Sequence, residues 1–207
     1  MSKKNNKKTC TSQTYSQIAK ELGQGYDQYF NKIVKPEADK FLSQIKPAGK
    51  ILDAGCGAGT HTLYFKEKGY HPSAIDISPG MVKLCRKKGL EAKVMDLENL
   101  EFRNNTFDGL WCHTSLIHFD KKEKIKKVLK KMAVILKPKS PLFVALREGH
   151  KNGWELYNEK PGTKRWFLYF QKGELKKYLP VSFKVTKENI TPFKNRRFLN
   201  YHLILKK

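Results

Sequence analysis

Ile51-Leu52-Asp53-Ala54-Gly55-Cys56-Gly57-Ala58-Gly59-Thr60 joins a short apolar run to three glycines at alternate positions. Lys50 to Asp53 reads as a buried strand, and Thr60 to Lys68 as a helix closed by Gly69. Between them the chain must turn sharply. Glycine permits that turn and lets a ligand approach the main chain. The helix that follows offers N–H groups with no partner inside the helix. Cys56 lies within the turn, where a small side chain suffices.

Two kinds of ligand compete for such a loop. A dinucleotide fingerprint reads G-x-G-x-x-G, whereas here Gly59 comes one place early, with Thr60 after it. The strand also ends in Asp53, whose carboxylate would repel a pyrophosphate but suits the ammonium of an amino-acid ligand, directly or through water. A P-loop is excluded because no G-K-[ST] follows. Asp76, in Ala74-Ile75-Asp76, lies 21 residues after Gly55 at the end of the next strand. There a carboxylate accepts hydrogen bonds from both hydroxyls of a ribose. Asp96, in Val94-Met95-Asp96-Leu97, ends the third strand and suits the exocyclic amine of adenine. Each of the latter two alone also reads as a helix cap or a loop opener. Three carboxylates at successive strand ends converge where ligands of such sheets bind, and together they point to S-adenosylmethionine.

Outward from this segment, strands and helices alternate. His71 to Ile75, Glu91 to Met95, Phe107 to Cys112 and Pro141 to Arg147 read as further strands. Helices are expected from Ser78 to Lys88 and from Lys121 to Leu136, the latter with an apolar stripe that includes Ile125, Leu129 and Met132. Alternation of this kind implies right-handed crossovers and a parallel sheet. Upstream, Thr14 to Leu22 and Glu37 to Ile45 carry helical spacing. Downstream, Gly149 to Thr163 reads as a loop, Gln171 to Leu179 as a helix, and Val181 to Ile190 and Phe198 to Leu205 as an antiparallel pair at the sheet edge. The predicted fold class is α/β: a three-layer, Rossmann-like architecture with a mostly parallel seven-stranded sheet and an antiparallel C-terminal edge. Residues 12–207 form one domain, preceded by a disordered basic tail, 1–11.

The 207 residues, 39% hydrophobic, suffice for one sizeable core. No stretch approaches the roughly 20 apolar residues of a membrane span, and the lysine-rich start lacks the apolar region of a secretory signal. Cys10, Cys56, Cys85 and Cys112 are scattered, with no C-x-x-C pair, which argues against a metal site and fits reduced thiols in a cytoplasmic protein. The formal charge of +23 raises a polyanion partner such as RNA. Yet only six of the 42 basic residues are arginine, the better residue for bidentate phosphate recognition. A Lys- and Asn-rich composition explains the charge without a selected nucleic-acid surface.

From about Lys50 to Gly149 the chain resembles the class I S-adenosylmethionine-dependent methyltransferases. DAGCGAGT matches their first motif, AIDIS and VMDLENL their second and third acidic positions, and FDGLWCHTSLIHF with LKPKSPLFVALREG their fourth and fifth strand motifs. Lys139 and Ser140 stand where the family often has glycines. FDGLWCHTSLIH, ALREG, Thr163-Lys164-Arg165-Trp166-Phe167 and Phe198-Leu199-Asn200-Tyr201-His202 further resemble a bacterial small-molecule subgroup near the tellurite-resistance-type methyltransferases. Arg147 replaces that subgroup's lysine and Phe198 its tryptophan. The cofactor set expected on these grounds is Asp53, Gly55, Cys56, Gly57, Gly59, Thr60, Asp76, Ile77, Met81, Asp96, Leu97 and His113. By resemblance, Tyr15 and Ile18 close over the cofactor.

Methyl transfer requires an acceptor atom held in line with the S–CH₃ bond in a dry pocket, so positioning carries most of the catalysis. His113 and His118, after the fourth strand, are candidate general bases, or else lining and packing groups. Arg147 and Arg165 suit an anionic acceptor or a structural ion pair. Trp166, Phe167, Tyr169 and Phe170 wall the substrate or fill the core. The expected activity is methylation of a small molecule. The rivals are an RNA (tRNA) methyltransferase, a nonenzymatic S-adenosylmethionine-binding protein and, disfavoured by the glycine spacing, an NAD-dependent reductase.

Overall fold

The computed structural model describes residues 7–22 and 29–206. Helix α1 (Lys7–Gln17) comes first, then a π-helical turn (Phe30–Val34) leading into α2 (Lys35–Leu42). There follow β1 (Lys50–Ala54), α3 (Thr60–Glu67), β2 (His71–Asp76), α4 (Pro79–Lys87), β3 (Ala92–Val94), β4 (Gly109–His113), α5 (Glu123–Ile135) and β5 (Pro141–Arg147). A small hairpin, β6 (Gly153–Leu156) and β7 (Lys164–Phe167), precedes the long strands β8 (Phe183–Phe193) and β9 (Arg196–Leu205).

The main sheet has seven strands in the order β3-β2-β1-β4-β5-β9-β8. The first five run parallel, and β9 and β8 are antiparallel at the edge. Successive side chains of a strand point to opposite faces, and both faces are covered. Ile51, Trp111 and Phe143 meet Phe41 of α2 and Phe65 of α3 on one side, with Trp111 and Phe143 stacked at 3.9 Å between ring centroids. On the other, Leu52, Leu110 and Val144 join the apolar stripe of α5 in a larger cluster. Chain direction reverses relative order between β1 and β4, so the carboxyl ends of β1, β2 and β4 open a crevice there.

The strands and helices of the alternating half fall within a few residues of expectation, and the antiparallel edge is as read. Four expectations need correction. The expected tail 1–11 is contradicted at Lys7 to Thr11, which are helical, with Thr11 buried; residues 1–6 lie outside the described set. The expected helix Thr14 to Leu22 begins earlier, at Lys7; it bends at Ile18, just past the end of α1, and is helical again through Leu22. Its attachment is polar. The Thr11 hydroxyl accepts from the Trp166 amide at 2.9 Å, Ser12 donates to the Ile77 carbonyl at 3.1 Å and Thr14 to the Lys164 carbonyl at 2.8 Å. Apolar periodicity reports this helix only from Thr14 onward and misses its polar first turns. The segment Gly149 to Thr163, expected to be a loop, contains β6, held by a Trp154–Trp166 pair across the hairpin. The expected helix Gln171 to Leu179 shrinks to a 3₁₀ turn, Glu174–Tyr178, entered through a left-handed Gly173 and stopped before Pro180.

Among the described residues no helix is long and apolar enough to cross a membrane. Leu129, fully buried on α5, gives a direct measure of the core. Leu129→Ala should cost about 2–5 kcal/mol, read from the urea midpoint at unchanged m-value.

Candidate active site

The three glycines after β1 all adopt left-handed backbone angles, with φ of +88° at Gly55, +52° at Gly57 and +82° at Gly59. They do so for different reasons. A Cβ at Gly55 would overlap the Ser115 hydroxyl, and one at Gly59 would lie 2.8 Å from both Cys85 Sγ and Leu90 Cδ1. These two let the turn press against its neighbours. A Cβ at Gly57 meets nothing within 4 Å, because it faces a cavity.

That cavity lies at the carboxyl ends of the strands, under α1. Gly55, Gly57, Asp76, Ile77, Met81, Asp96, Leu97 and His113, of the expected cofactor set, line it. Asp76 is fixed by main-chain donors: Gly57 N–H reaches Oδ2 at 2.9 Å and Ser78 N–H reaches Oδ1 at 2.8 Å. A carboxylate accepts about four hydrogen bonds, so each oxygen retains capacity for a ligand hydroxyl. Asp96 accepts from the Glu98 amide at 3.0 Å and pairs with Lys8, which also pairs with Glu98. Lys8 thus ties the start of α1 to the rim of the site. The Ser78 hydroxyl caps α4 by accepting from the Met81 amide and meets Ser16 of α1 at 2.8 Å.

Asp53, Cys56, Gly59 and Thr60 do not line the cavity. Asp53 is fully buried behind the loop, where Thr62 donates to Oδ2 at 2.6 Å and Oδ1 has no partner. Any reach to a ligand ammonium is indirect. Cys56 packs with Cys85, their sulfurs 3.5 Å apart, and Thr60 begins α3. Thr114 and Ser115 are site residues that the sequence did not disclose. Thr114 holds φ at +54°, an outlier for a β-branched residue, and lies between the first cavity and a second one.

The second cavity, about 370 Å³, shares Tyr15, Leu22, His113, Thr114 and His118 with the first. Arg147, Arg165 and Phe167 line it further on. The structure therefore brings Tyr15, His113, His118, Arg147 and Arg165 together, joined from the aromatic cluster by Phe167 but not by Trp166, Tyr169 or Phe170. Of the aromatic cluster, Phe170 fills the core and Trp166 lies beneath the Lys7 ammonium, 3.4 Å from the ring centroid. His118 Nδ1 lies 2.7 Å from the Trp166 carbonyl, which can only accept, so the proton sits on Nδ1. Nε2 is then bare and accepts from the Tyr15 hydroxyl at 2.8 Å. His113 Nε2 lies 3.3 Å from the Tyr29 hydroxyl. Among the described residues no three His, Cys, Asp or Glu side chains are grouped to hold a metal ion.

Burial acts on these groups in opposite senses. It pushes Asp53 up to about 7, with the Thr62 hydroxyl opposing and Asp76 assisting. It raises Asp76 as well, against its backbone donors. It holds His113 down to about 3, His118 to about 4 and His61 well below its ordinary value, so all three rings are neutral at pH 7. Each histidine gains a proton only on unfolding below about pH 6.5, and stability is lost as pH falls. Asp53 binds its proton more tightly in the folded state, so its contribution is lost as pH rises from about 4 to about 7.

Two outcomes follow from this geometry. Gly57→Ala should cost only the left-handed backbone strain, about 1–2 kcal/mol, while blocking the cavity; Gly55→Ala should lose far more stability. Thermal midpoints with and without S-adenosylhomocysteine separate the two effects. Asp53→Asn should steepen the acid loss of stability between about pH 6.5 and 4, because its opposing contribution disappears. A shallower urea-midpoint profile would contradict the burial of an unsatisfied carboxylate.

Residues 51–139 match a family described as a methyltransferase domain. The chain is 34% identical over 109 residues to a probable tRNA methyltransferase 9B of Homo sapiens, covering 53% of this chain and 24% of that protein. It is 33% identical over 107 residues to a tRNA (carboxymethyluridine(34)-5-O)-methyltransferase of Arabidopsis thaliana, covering 50% and 25%. The chain thus spans about a quarter of the length of these relatives. Its fold is similar to that of a 1,6-didemethyltoxoflavin-N1-methyltransferase of Burkholderia thailandensis, solved with 1,6-didemethyltoxoflavin and S-adenosylhomocysteine (TM-score 0.72, 19% identity, 93% of this chain and 87% of that one). Glycine turn, strand-end carboxylates and family match coincide on one segment: residues 51–139 are similar to a methyltransferase domain, within a fold shared with solved methyltransferases.

Proposed function

We propose that the protein transfers a methyl group from S-adenosylmethionine to a small-molecule acceptor held in the second cavity. The observation that carries this reading is the shared wall. Tyr15, His113, Thr114 and His118 face both chambers, so the methyl-bearing end of a ligand in the first would abut a molecule in the second. A cavity of about 370 Å³ is of small-molecule size.

S-adenosylmethionine, when bound, supplies an electrophilic methyl on a sulfonium. Asp76 would hold the ribose hydroxyls, Gly55 and Gly57 would admit the amino-acid portion, and Met81 and Leu97 would enclose the base. Asp53 would favour the ammonium from behind the loop. α1 excludes water from above, and Tyr15 and Thr114 position the acceptor. The neutral imidazole of His118 accepts the Tyr15 proton, so a proton leaving an acceptor hydroxyl has a path through the phenol oxygen to Nε2. We retain, as part of this reading, kinship with the small-molecule subgroup near the tellurite-resistance type, and a cytoplasmic setting consistent with four free cysteines.

A tRNA acceptor is the second reading, favoured by the net charge of +23 and by the names of the relatives. Filter binding of tRNA at roughly physiological salt distinguishes the two; binding that survives there supports RNA. The decisive test of the main reading is label transfer from methyl-labelled S-adenosylmethionine into fractionated metabolites. Asp76→Ala should weaken S-adenosylhomocysteine by more than tenfold in calorimetry, with folding intact. An unchanged dissociation constant would remove the ribose role.

A further inference from the structure

The second cavity is cationic to a degree that its own protein groups do not balance. Arg147, Arg165, Lys194 and Arg196 line it, and no Asp or Glu does. Arg147 is neutralised from outside the lining by Glu155, at 3.0 and 3.1 Å. Arg165 has no such partner. It is 8% exposed, no carboxylate among the described residues lies within ion-pair reach, and its Nε–H has no acceptor. Glu155 stands opposite Arg165 across the β6–β7 hairpin, but its carboxylate turns to Arg147 and Tyr169.

An arginine cannot escape burial by losing its proton, and a buried unpaired charge is costly. Here the guanidinium is flanked by rings, with Tyr15, Tyr157 and Phe167 centroids at 5.5, 5.3 and 5.3 Å. Phe167 also carries the Arg147 guanidinium at 4.5 Å, so two cations attend one ring with one carboxylate between them. Cation–π contact recovers part of the lost hydration and the Tyr15 hydroxyl is in hydrogen-bonding contact with the guanidinium, but neither supplies a counter-charge or an acceptor for the Nε–H. The other walls of the chamber include Tyr29, Phe193 and Phe198.

We infer that Arg165 is the anchor of an anion subsite, and that the acceptor is a small amphipathic anion: a carboxylate or phosphate on an apolar, ring-sized body. This rests on the proposed function and names its substrate class. The anionic head pairs with the Arg165 fork, and the body lies among the aromatic walls, turned toward Tyr15 and the shared rim. Arg147, already paired with Glu155, does not grip the head; Lys194 and Arg196 add to the positive field of the chamber.

The test uses the full chain and six probes. S-adenosylhomocysteine is titrated first; its failure to bind would sink the cofactor reading, while the remaining arms, run without it, still judge the subsite. Benzoate and phenyl phosphate are then compared by calorimetry and thermal midpoint with the neutral benzamide and benzyl alcohol, and with inorganic phosphate alone. We expect at least one aromatic anion to bind tenfold or more tighter than its neutral counterpart. That preference should fall below twofold in Arg165→Leu and survive in the exposed-site control Arg103→Gln. Arg165→Leu should melt no lower than wild type, since it removes an unpaired buried charge. Benzoate against phenyl phosphate distinguishes the two head groups, and inorganic phosphate tests the need for an apolar body. If neutral and anionic probes bind the wild type equally, or the preference persists in Arg165→Leu, the subsite is refuted. That comparison on wild type stands even should the variant fold poorly. Binding of tRNA that displaces phenyl phosphate and is indifferent to Arg165→Leu would likewise overturn the assignment.

Discussion

The hydrogen bond from Gly57 N–H to Asp76 is the contact on which the rest of the site depends. It links the turn after the first strand to the end of the second and holds the Asp76 carboxylate at the mouth of the crevice. For the amide to point there, the chain must pass through three left-handed residues within five, which only glycine does without strain. Gly55 and Gly59 let the loop settle against Ser115 and Cys85, and Gly57 leaves the space a ligand needs. The parallel sheet, covered on both faces, makes the loop's position reproducible: β1 is locked between β2 and β4. Much of the core exists to keep that one amide aimed.

The alternating half of the chain was legible because its signals are local. A buried strand reads as an apolar run, α5 as a stripe, and Ser78 before Pro79 as a cap, which the Ser78–Met81 bond realises. What escaped was written in another chemistry. α1 is fastened by hydroxyls and a lysine, so its binding face is invisible to hydropathy. β6 is brief and its residues alternate between half-buried and exposed, and it becomes a strand only through its pairing with β7.

The site divides along the same line. Asp76 and Gly57 were recognisable because the motif spaces them. Asp53 also belongs to the motif, yet its place behind the loop depends on Thr62, nine residues away on the next helix. Arg165, Tyr15 and His118 were each singled out for the site, but their mutual contacts were not legible, since three separate elements deliver them and only the folded chain makes them neighbours. Thr114 was unreadable for a different reason: nothing about a threonine announces a left-handed backbone.

α1 is a wall to two rooms. Its Ser12 and Lys8 face the first chamber, and its Tyr15 faces both. A displacement of that single helix would therefore unroof the first chamber and remove part of the wall of the second in the same movement. Through Tyr15, a movement of α1 that opens the first chamber also changes the wall of the second.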